Sequence, residues 1–248
     1  MNAPHDEKPL GHKAYTKIPH LPGSRTGQND THAPRELARW CTHACRPGDS
    51  VVVQEKLDGS CVAVTLLDGE IIALGREGFR ATTAQNPGRR MFARWVAANE
   101  KRFRAVLTER EWMVGEWLAL AHSTRYQLSH EPFVVFDLCA GVKDDASKSI
   151  ISLSTECADS RLKKGDFVRP HVLHRGAAIS VEAIDQLLGA HGFHGALDRV
   201  EGAMWRVERN EEVVFRAKFV RPGKTDGALL PENSGQPALW NWTDGQSS

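Results

Sequence analysis

The stretch Gln54-Glu55-Lys56-Leu57-Asp58-Gly59-Ser60 sets an amine and a carboxylate two residues apart at the end of an apolar run that begins at Val51. On a strand, alternate side chains share a face, so Lys56, Asp58 and Ser60 form a polar row while Glu55 and Leu57 point the other way. Held near a metal-bound phosphate, such an amine would have its pKa lowered by neighbouring positive charge and its lone pair exposed for nucleophilic attack. The same row also reads as a surface ion pair, and the hydroxyl of Ser60 is equally able to bond the neighbouring backbone. Further candidates lie downstream. Arg76 sits inside Gly75-Arg-Glu-Gly78, where glycines permit close backbone approach to a ligand and arginine suits a phosphate; a plain surface turn is the alternative. Glu116 interrupts the apolar stretch Met113–Ala121 and needs partners there. Arg216 and Lys218 share one face of a strand whose other face is Phe215, Ala217 and Phe219, which fits either paired cations at a phosphate or a charge-blunted edge.

The elements that position these groups follow from periodicity. A helix is expected from Pro34 to about Cys45, with Leu37, Trp40, Cys41 and Ala44 on one face. Strands follow at Val51–Lys56, Ser60–Leu67 and Glu70–Leu74, with Asp68-Gly69 as a two-residue hairpin signal, so Lys56 is expected on an antiparallel meander. Met91, Phe92, Trp95, Val96, Phe103 and Val106 predict one amphipathic helix from Pro87 to Leu107. Its opposite face carries Arg89, Arg90, Arg94, Lys101, Arg102 and Arg104. Trp112–Trp117 reads as a short strand and Phe133–Leu138 as a buried one, with Phe136 and Asp137 beside any central pocket. Residues 139–165 read as polar and irregular, with Lys143–Ser149 an exposed loop. Ser180 caps a helix to about Ala190, and a last hairpin runs Glu201–Glu208 and Val213–Val220 with its turn at Arg209-Asn210. Residues 1–33, rich in Pro, Gly and His, read as an arm lying on the domain. The tail after Lys224 is pinned by Trp240 and Trp242.

Composition bounds the rest. The 248 residues are 41% hydrophobic with a formal net charge of +1, an ordinary globular composition. Five scattered cysteines without a Cys-x-x-Cys pair argue against a disulfide framework or Cys-rich zinc module and fit a reducing cytoplasmic setting. The spacings His171/His174 and His191/His194 do not match a zinc site. No apolar run approaches the roughly 20 residues of a membrane span, so no membrane partner is expected.

Taken in order, Lys56-Leu-Asp-Gly59, Gly75-Arg-Glu-Gly78, Gly115-Glu-Trp117, Phe133-Val-Val-Phe-Asp-Leu138, Glu201-Gly202 and Phe215-Arg-Ala-Lys218 resemble the covalent nucleotidyltransferases, the polynucleotide ligases and mRNA capping enzymes. The stretch Gly115–Tyr126, with its His122-Ser-x-x-Tyr126 extension, and the His20-Leu-Pro-Gly arm are most similar to the ATP-dependent RNA ligase branch. The resemblance spans roughly residues 17 to 224. It implies an α+β fold of antiparallel sheets with flanking helices: an N-terminal arm at 1–33, a nucleotidyltransferase (adenylation) domain at 34–224 and a tail at 225–248, with no C-terminal oligonucleotide-binding barrel.

The resemblance also implies roles. Lys56 would attack the α-phosphorus of ATP and carry AMP, with Glu55 and Gly59 beside it in the nucleotide site. Arg76 would bind the ribose or the polynucleotide end, Glu116 the ribose hydroxyls, and Phe136 would stack on adenine. Asp58 and Glu201 would hold waters on Mg2+ or Mn2+, and Arg216 and Lys218 would neutralise phosphates. The family's last motif carries Lys-x-Lys, whereas arginine at position 216 keeps the charge on a fixed fork. AMP would pass to a 5′-phosphate end, RNA or a nick in a duplex, for sealing to a 3′-hydroxyl in RNA repair. Grip on the nucleic acid would come from the Arg89–Arg104 helix, the arm or a partner protein. The alternatives are a DNA ligase core, a capping-type guanylyltransferase and a catalytically silent nucleic-acid-binding module.

Overall fold

Each of two sheets packs an apolar face beneath helices; on their other faces one sheet presents mostly polar residues and the other an apolar row, Ala63, Ile72, Leu74, Trp112 and Val114, packed with Ala14 and Tyr15. The computed structural model describes residues 8–141 and 150–243. Among these, one sheet has the order β7-β1-β8-β9 and the other β3-β2-β4-β5-β6, every neighbouring pair antiparallel. The first contains β1 (Ser50–Lys56), β7 (Val172–Gly176), β8 (Gly202–Arg209) and β9 (Glu212–Val220). The second contains β2 (Ser60–Leu67), β3 (Glu70–Gly75), β4 (Glu111–Trp117), β5 (Phe133–Gly141) and β6 (Ile150–Ser152).

In the first sheet, Val51, Val53, Ala203, Trp205, Val207 and Ala217 form the outer core under α1 (Arg35–Thr42) and α5 (Val181–Leu188). The intervening positions, Gln54, Lys56, Met204, Arg206, Arg216 and Lys218, face the other sheet, as strand alternation requires. In the second sheet, Val62, Val64, Met113, Trp117, Phe133 and Val135 pack under α2 (Pro87–Ala98), α3 (Glu100–Val106) and α4 (Thr155–Leu162). Phe92 lies 5.2 Å, ring to ring, from both Trp117 and Phe133 in this core, where each buried large side chain contributes about 1.5–3 kcal/mol.

The arm is built into both sheets. Trp112 Nε1 donates to Ala14 O at 2.9 Å, Tyr15 N to Arg76 O at 3.2 Å, Lys218 N to Pro19 O at 2.9 Å and Leu21 N to Lys218 O at 2.8 Å. Residues 14–21 thus run from the second sheet to the outer edge of β9 and cover that edge. The tail closes on the opposite side, with Trp242 5.9 Å from Trp117 ring to ring. After β9 the described residues hold just one short helix, α6 (Pro231–Ser234).

Several expected boundaries change. The helix expected over 87–107 is two, because Asn99 leaves helical geometry (φ −110°, ψ 16°) and its side-chain amide donates to Trp95 O, a local bond that competes with the helix. Residues 139–165 are not all irregular: they supply β6 and α4, the latter capped by Ser154 Oγ accepting from Cys157 N–H. The loop expected at Lys143–Ser149 lies outside the described residues. The last hairpin turns at Asn210-Glu211, one residue later than expected, with both residues at positive φ (49° and 65°), the geometry a two-residue hairpin demands.

Candidate active site

Lys56 ends β1 in one sheet and Ser60 begins β2 in the other, so the expected meander through the lysine is not formed: β1 pairs with β7 and β8. The three residues between cross the gap. Gly59 is required there, since a Cβ would lie 2.5 Å from Trp117 O. The crossing also dissolves the single polar row. Asp58 Oδ2 accepts from Ser123 N–H at 2.9 Å, Asp58 N–H donates to the Tyr126 hydroxyl at 3.1 Å, and Ser60 Oγ lies 3.1 Å from His122 Nε2. The 122–126 loop therefore fixes both ends of the crossing.

Glu201, just ahead of β8, is carried to the lysine because Lys56 and Gly202 are paired across β1 and β8. Lys56 Nζ donates to Glu201 Oε2 at 2.5 Å, and Glu116 Oε1 accepts from Gly59 N–H at 3.1 Å. Burial works to lower the Lys56 amine, but Glu201, Glu116 and Asp58 outweigh it and hold the pKa above its ordinary value. The groups nearest the amine within the protein itself are carboxylates, whereas the lowering expected from sequence belongs to an amine beside a metal-bound phosphate. The same crowding tells on the acids. Burial, reinforced by Glu201 and Asp58, pushes Glu116 up to about 7 against the opposing charge of Lys56, and burial likewise raises Glu201.

Lys56 opens onto a cleft of about 360 Å³ between the inner faces of the sheets. Arg76, Arg89, His122 and Lys218 give it a basic wall, and Ile18, Phe136, Pro170 and Met204 an apolar one. Burial, with the charge of Lys56, lowers the Lys218 amine, whose Nζ lies 3.7 Å from Asp30 Oδ1 while Asp30 also meets His20 Nε2 at 3.1 Å. Several cations in the lining of one cleft, beside an apolar slot that includes Phe136, fit a nucleoside triphosphate. Three carboxylates around one amine leave an acid excess that suits a divalent cation held through water, although among the described residues no group of three His, Cys, Asp or Glu is arranged to hold a metal ion directly. His130 Nε2, 2.9 Å from His194 Nδ1, and His194 Nε2, accepting from His171 N–H, satisfy one another instead.

Of the residues expected from sequence, Lys56, Gly59, Arg76, Glu116, Phe136 and Lys218 meet at the cleft, and Asp58 and Glu201 flank the lysine. Two side chains are drawn elsewhere. Arg216 is not on the cleft wall; its Nη2 lies 3.1 Å from Asp137 Oδ2 and its guanidinium 5.6 Å from the Tyr15 ring. Glu55 also borders the cleft, but its carboxylate turns behind β1, where Oε2 accepts from Phe193 N–H at 2.8 Å. The Gly75–Gly78 turn likewise serves the arm, since a Cβ at Gly78 (φ +93°) would strike His12 O at 2.3 Å. Of the six basic residues on the 87–107 segment, Arg89 lines the cleft, whereas Arg102 pairs with Glu131 and Arg104 with Glu100. Sequence reasoning left Gln54, Tyr15 and Arg206 unassigned, although Gln54 stands two residues before Lys56 and strand spacing alone puts it on the same face.

A model of the RNA ligase family matches residues 49–220, more than half of the chain. No curated protein matches the sequence. Among solved structures, an apo point mutant of Naegleria gruberi RNA ligase is 14% identical with a TM-score of 0.55, covering 90% of this chain and 58% of its own. Form 1 of an archaeal ATP-dependent RNA ligase is 19% identical with a TM-score of 0.51, covering 83% and 48%. A point mutant of the Naegleria gruberi ligase with ATP and Mn is 17% identical with a TM-score of 0.50, covering 82% and 59%. The chain thus spans about half to three-fifths of the length of these proteins, and the likeness is one of fold.

Proposed function

The chain belongs to the RNA ligase family, and from that premise we propose that it is an ATP-dependent RNA ligase that works through a lysyl-AMP intermediate on Lys56. The observation that carries the reading is an amine clamped by Glu201 at the junction of two sheets and facing a cleft with a basic and an apolar wall. The Lys56 nitrogen bonds to the α-phosphorus of ATP as the bond to pyrophosphate breaks. Its proton must leave first, and Glu201, hydrogen-bonded to it and raised in pKa, is the acceptor. Lys218 and Arg76 neutralise the phosphates, Glu116 holds the ribose hydroxyls and Phe136 covers the base. AMP then passes to a 5′-phosphate oxygen of an RNA end, and a 3′-hydroxyl displaces it to form the phosphodiester. Mg2+ or Mn2+, held through water by Asp58 and Glu201, would supply charge neutralisation at the phosphates and favour the unprotonated amine; the Naegleria structure with ATP and Mn supports this choice. The catalytic unit includes the arm, because Tyr15, Thr16 and Ile18 line the cleft.

Incubation with α-labelled ATP and a divalent metal is expected to label the wild type covalently, to give no label with Lys56→Ala, and to leave the label intact with Lys101→Ala, a change at an exposed α3 position. An unlabelled wild type overturns the proposal. Joining of a 5′-phosphorylated RNA but not of nicked DNA supports the RNA substrate, whereas labelling by GTP rather than ATP favours the capping-type alternative.

A further inference from the structure

The arm brings Lys218 a counter-charge to which the reaction gives no role. Around this lysine the two backbones interlock, with Lys218 N–H donating to Pro19 O at 2.9 Å and Leu21 N–H to Lys218 O at 2.8 Å. His20, between those arm residues, is 1% exposed. Its N–H donates to Thr31 O at 2.7 Å and its carbonyl accepts from Ala33 N–H at 2.8 Å, which lays residues 31–33 alongside it. The ring is held on both sides. Nδ1 lies 2.6 Å from Ser24 Oγ, which itself accepts from Val220 N–H at 2.9 Å, and Nε2 lies 3.1 Å from Asp30 Oδ2. Gly27 N–H donates to that same Oδ2 at 2.9 Å. Both contacts that shape the loop therefore fall on one oxygen of Asp30, while the other, Oδ1, faces Lys218 Nζ at 3.7 Å.

We propose that Asp30 is a positioning residue for nucleotide transfer, its carboxylate oriented by His20 and Gly27 so that it holds the Lys218 ammonium at the cleft wall to meet the phosphates. The need for a counter-charge is local. Lys218 is faced by Lys56 from β1 and Arg76 from the turn after β3, both cations, and by Glu201 from just ahead of β8 and Asp30 from the arm. Burial and Lys56 lower its amine, and Asp30 leads the groups that oppose them. Glu201 is already engaged by Lys56, and His20, itself lowered by burial and by Lys218, adds no positive charge near neutral pH. The side chains of Lys218 and Asp30 are only 20% and 21% exposed, so solvent screens the pair less than one on the open surface. The assignment rests on the ATP reading above, which gives Lys218 its phosphates.

Single-turnover labelling by α-labelled ATP, counted per folded molecule and followed across pH, tests it with two variants that separate charge from shape. Asp30→Asn keeps the shape and an oxygen for Gly27 N–H but loses the charge; its rate is expected to fall about tenfold, the scale of one close opposite charge, and to fall most at alkaline pH, where Lys218 gives up its proton sooner. Asp30→Glu returns the charge on a longer stem and is expected to recover most of the rate. Lys17→Ala, which loses a different arm contact, to Asn29 O at 2.9 Å, should label like the wild type. A purely structural role predicts the reverse order, with Asp30→Asn near wild type and Asp30→Glu impaired. That order, an unchanged pH profile in Asp30→Asn, or an equal loss in Lys17→Ala overturns the role of Asp30 and leaves the ligase reading standing. An unlabelled wild type overturns the ligase reading itself and this role with it.

Discussion

Two buried charge clusters occupy the layer between the sheets, and they are built to opposite ends. In one, Asp137 is fully buried and meets Arg206 at 2.6 Å and Arg216 at 3.1 Å, while Tyr15 donates its hydroxyl to the same carboxylate. Arg206 also reaches Glu208, which accepts from both the N–H and the hydroxyl of Thr155. Two acids face two guanidiniums. Burial would raise the Asp137 carboxyl, but Arg206 and Arg216, with the Tyr15 hydrogen bond, overcome it and hold the pKa at about 2. In the other cluster, Glu201, Glu116 and Asp58 surround one amine, and Glu116 is driven up to about 7. The balanced cluster ties β5, β8, β9 and the arm together. The unbalanced one opens on the cleft with an acid excess that suits a divalent cation, a division expected where function is held at a cost in stability.

Breaking the balanced cluster is therefore expected to give the largest effect on stability. Asp137→Ala leaves two buried guanidiniums without their shared partner and should cost about 3–5 kcal/mol in urea unfolding. A loss of under about 1 kcal/mol would mean that the cluster is not what joins the sheets. Tyr15→Phe removes one hydrogen bond to a buried carboxylate and should cost about 2 kcal/mol. Because the ring contact with Phe136 is kept at its present 5.3 Å separation, nucleotide labelling per folded molecule should hold, and a greater loss of labelling than of folded protein would show that the arm acts on the cleft directly.

The sequence was most legible where spacing along one strand decides the outcome. Alternation sorted Phe215, Ala217 and Phe219 from Arg216 and Lys218, and Asp68-Gly69 marked its hairpin, because both are local rules. It was least legible where a residue's partner comes from another sheet. Nothing between Lys56 and Ser60 says that three residues cross from one sheet to the other, since Leu57 looks like a strand residue until Leu118, Tyr126 and Leu188 are seen to bury it. Arg216 reads as a phosphate cation because its face of β9 is right; only the approach of Asp137 from β5 and Tyr15 from the arm removes it from the cleft. The rise of the Lys56 pKa is equally non-local, since Glu201 and Glu116 lie 145 and 60 residues away along the chain.

The finest test separates the clusters by the sign of their pH dependence. Glu116 titrates at about 7 in the folded protein against an ordinary 4.5. Between those values the folded state binds more protons than the unfolded one, so its contribution to stability falls as pH rises through that window and the full cost is present above it. Glutamine at this position keeps an acceptor for Gly59 N–H without ionising. Glu116→Gln should thus be more stable than the wild type at pH 8, by about 1 kcal/mol once partial exposure is allowed for, with the advantage gone near pH 4, and should lose nucleotide transfer. Asp137 runs the other way: its depressed pKa contributes stability that is present above the ordinary value of 3.8 and disappears as pH falls through about 2. Urea melts of Glu116→Gln at pH 4 and pH 8, and of Asp137→Ala at pH 4 and near pH 2, give the two signs directly. If Glu116→Gln destabilises at pH 8, the acid excess around Lys56 is compensated within the protein, and the two clusters differ in place but not in kind.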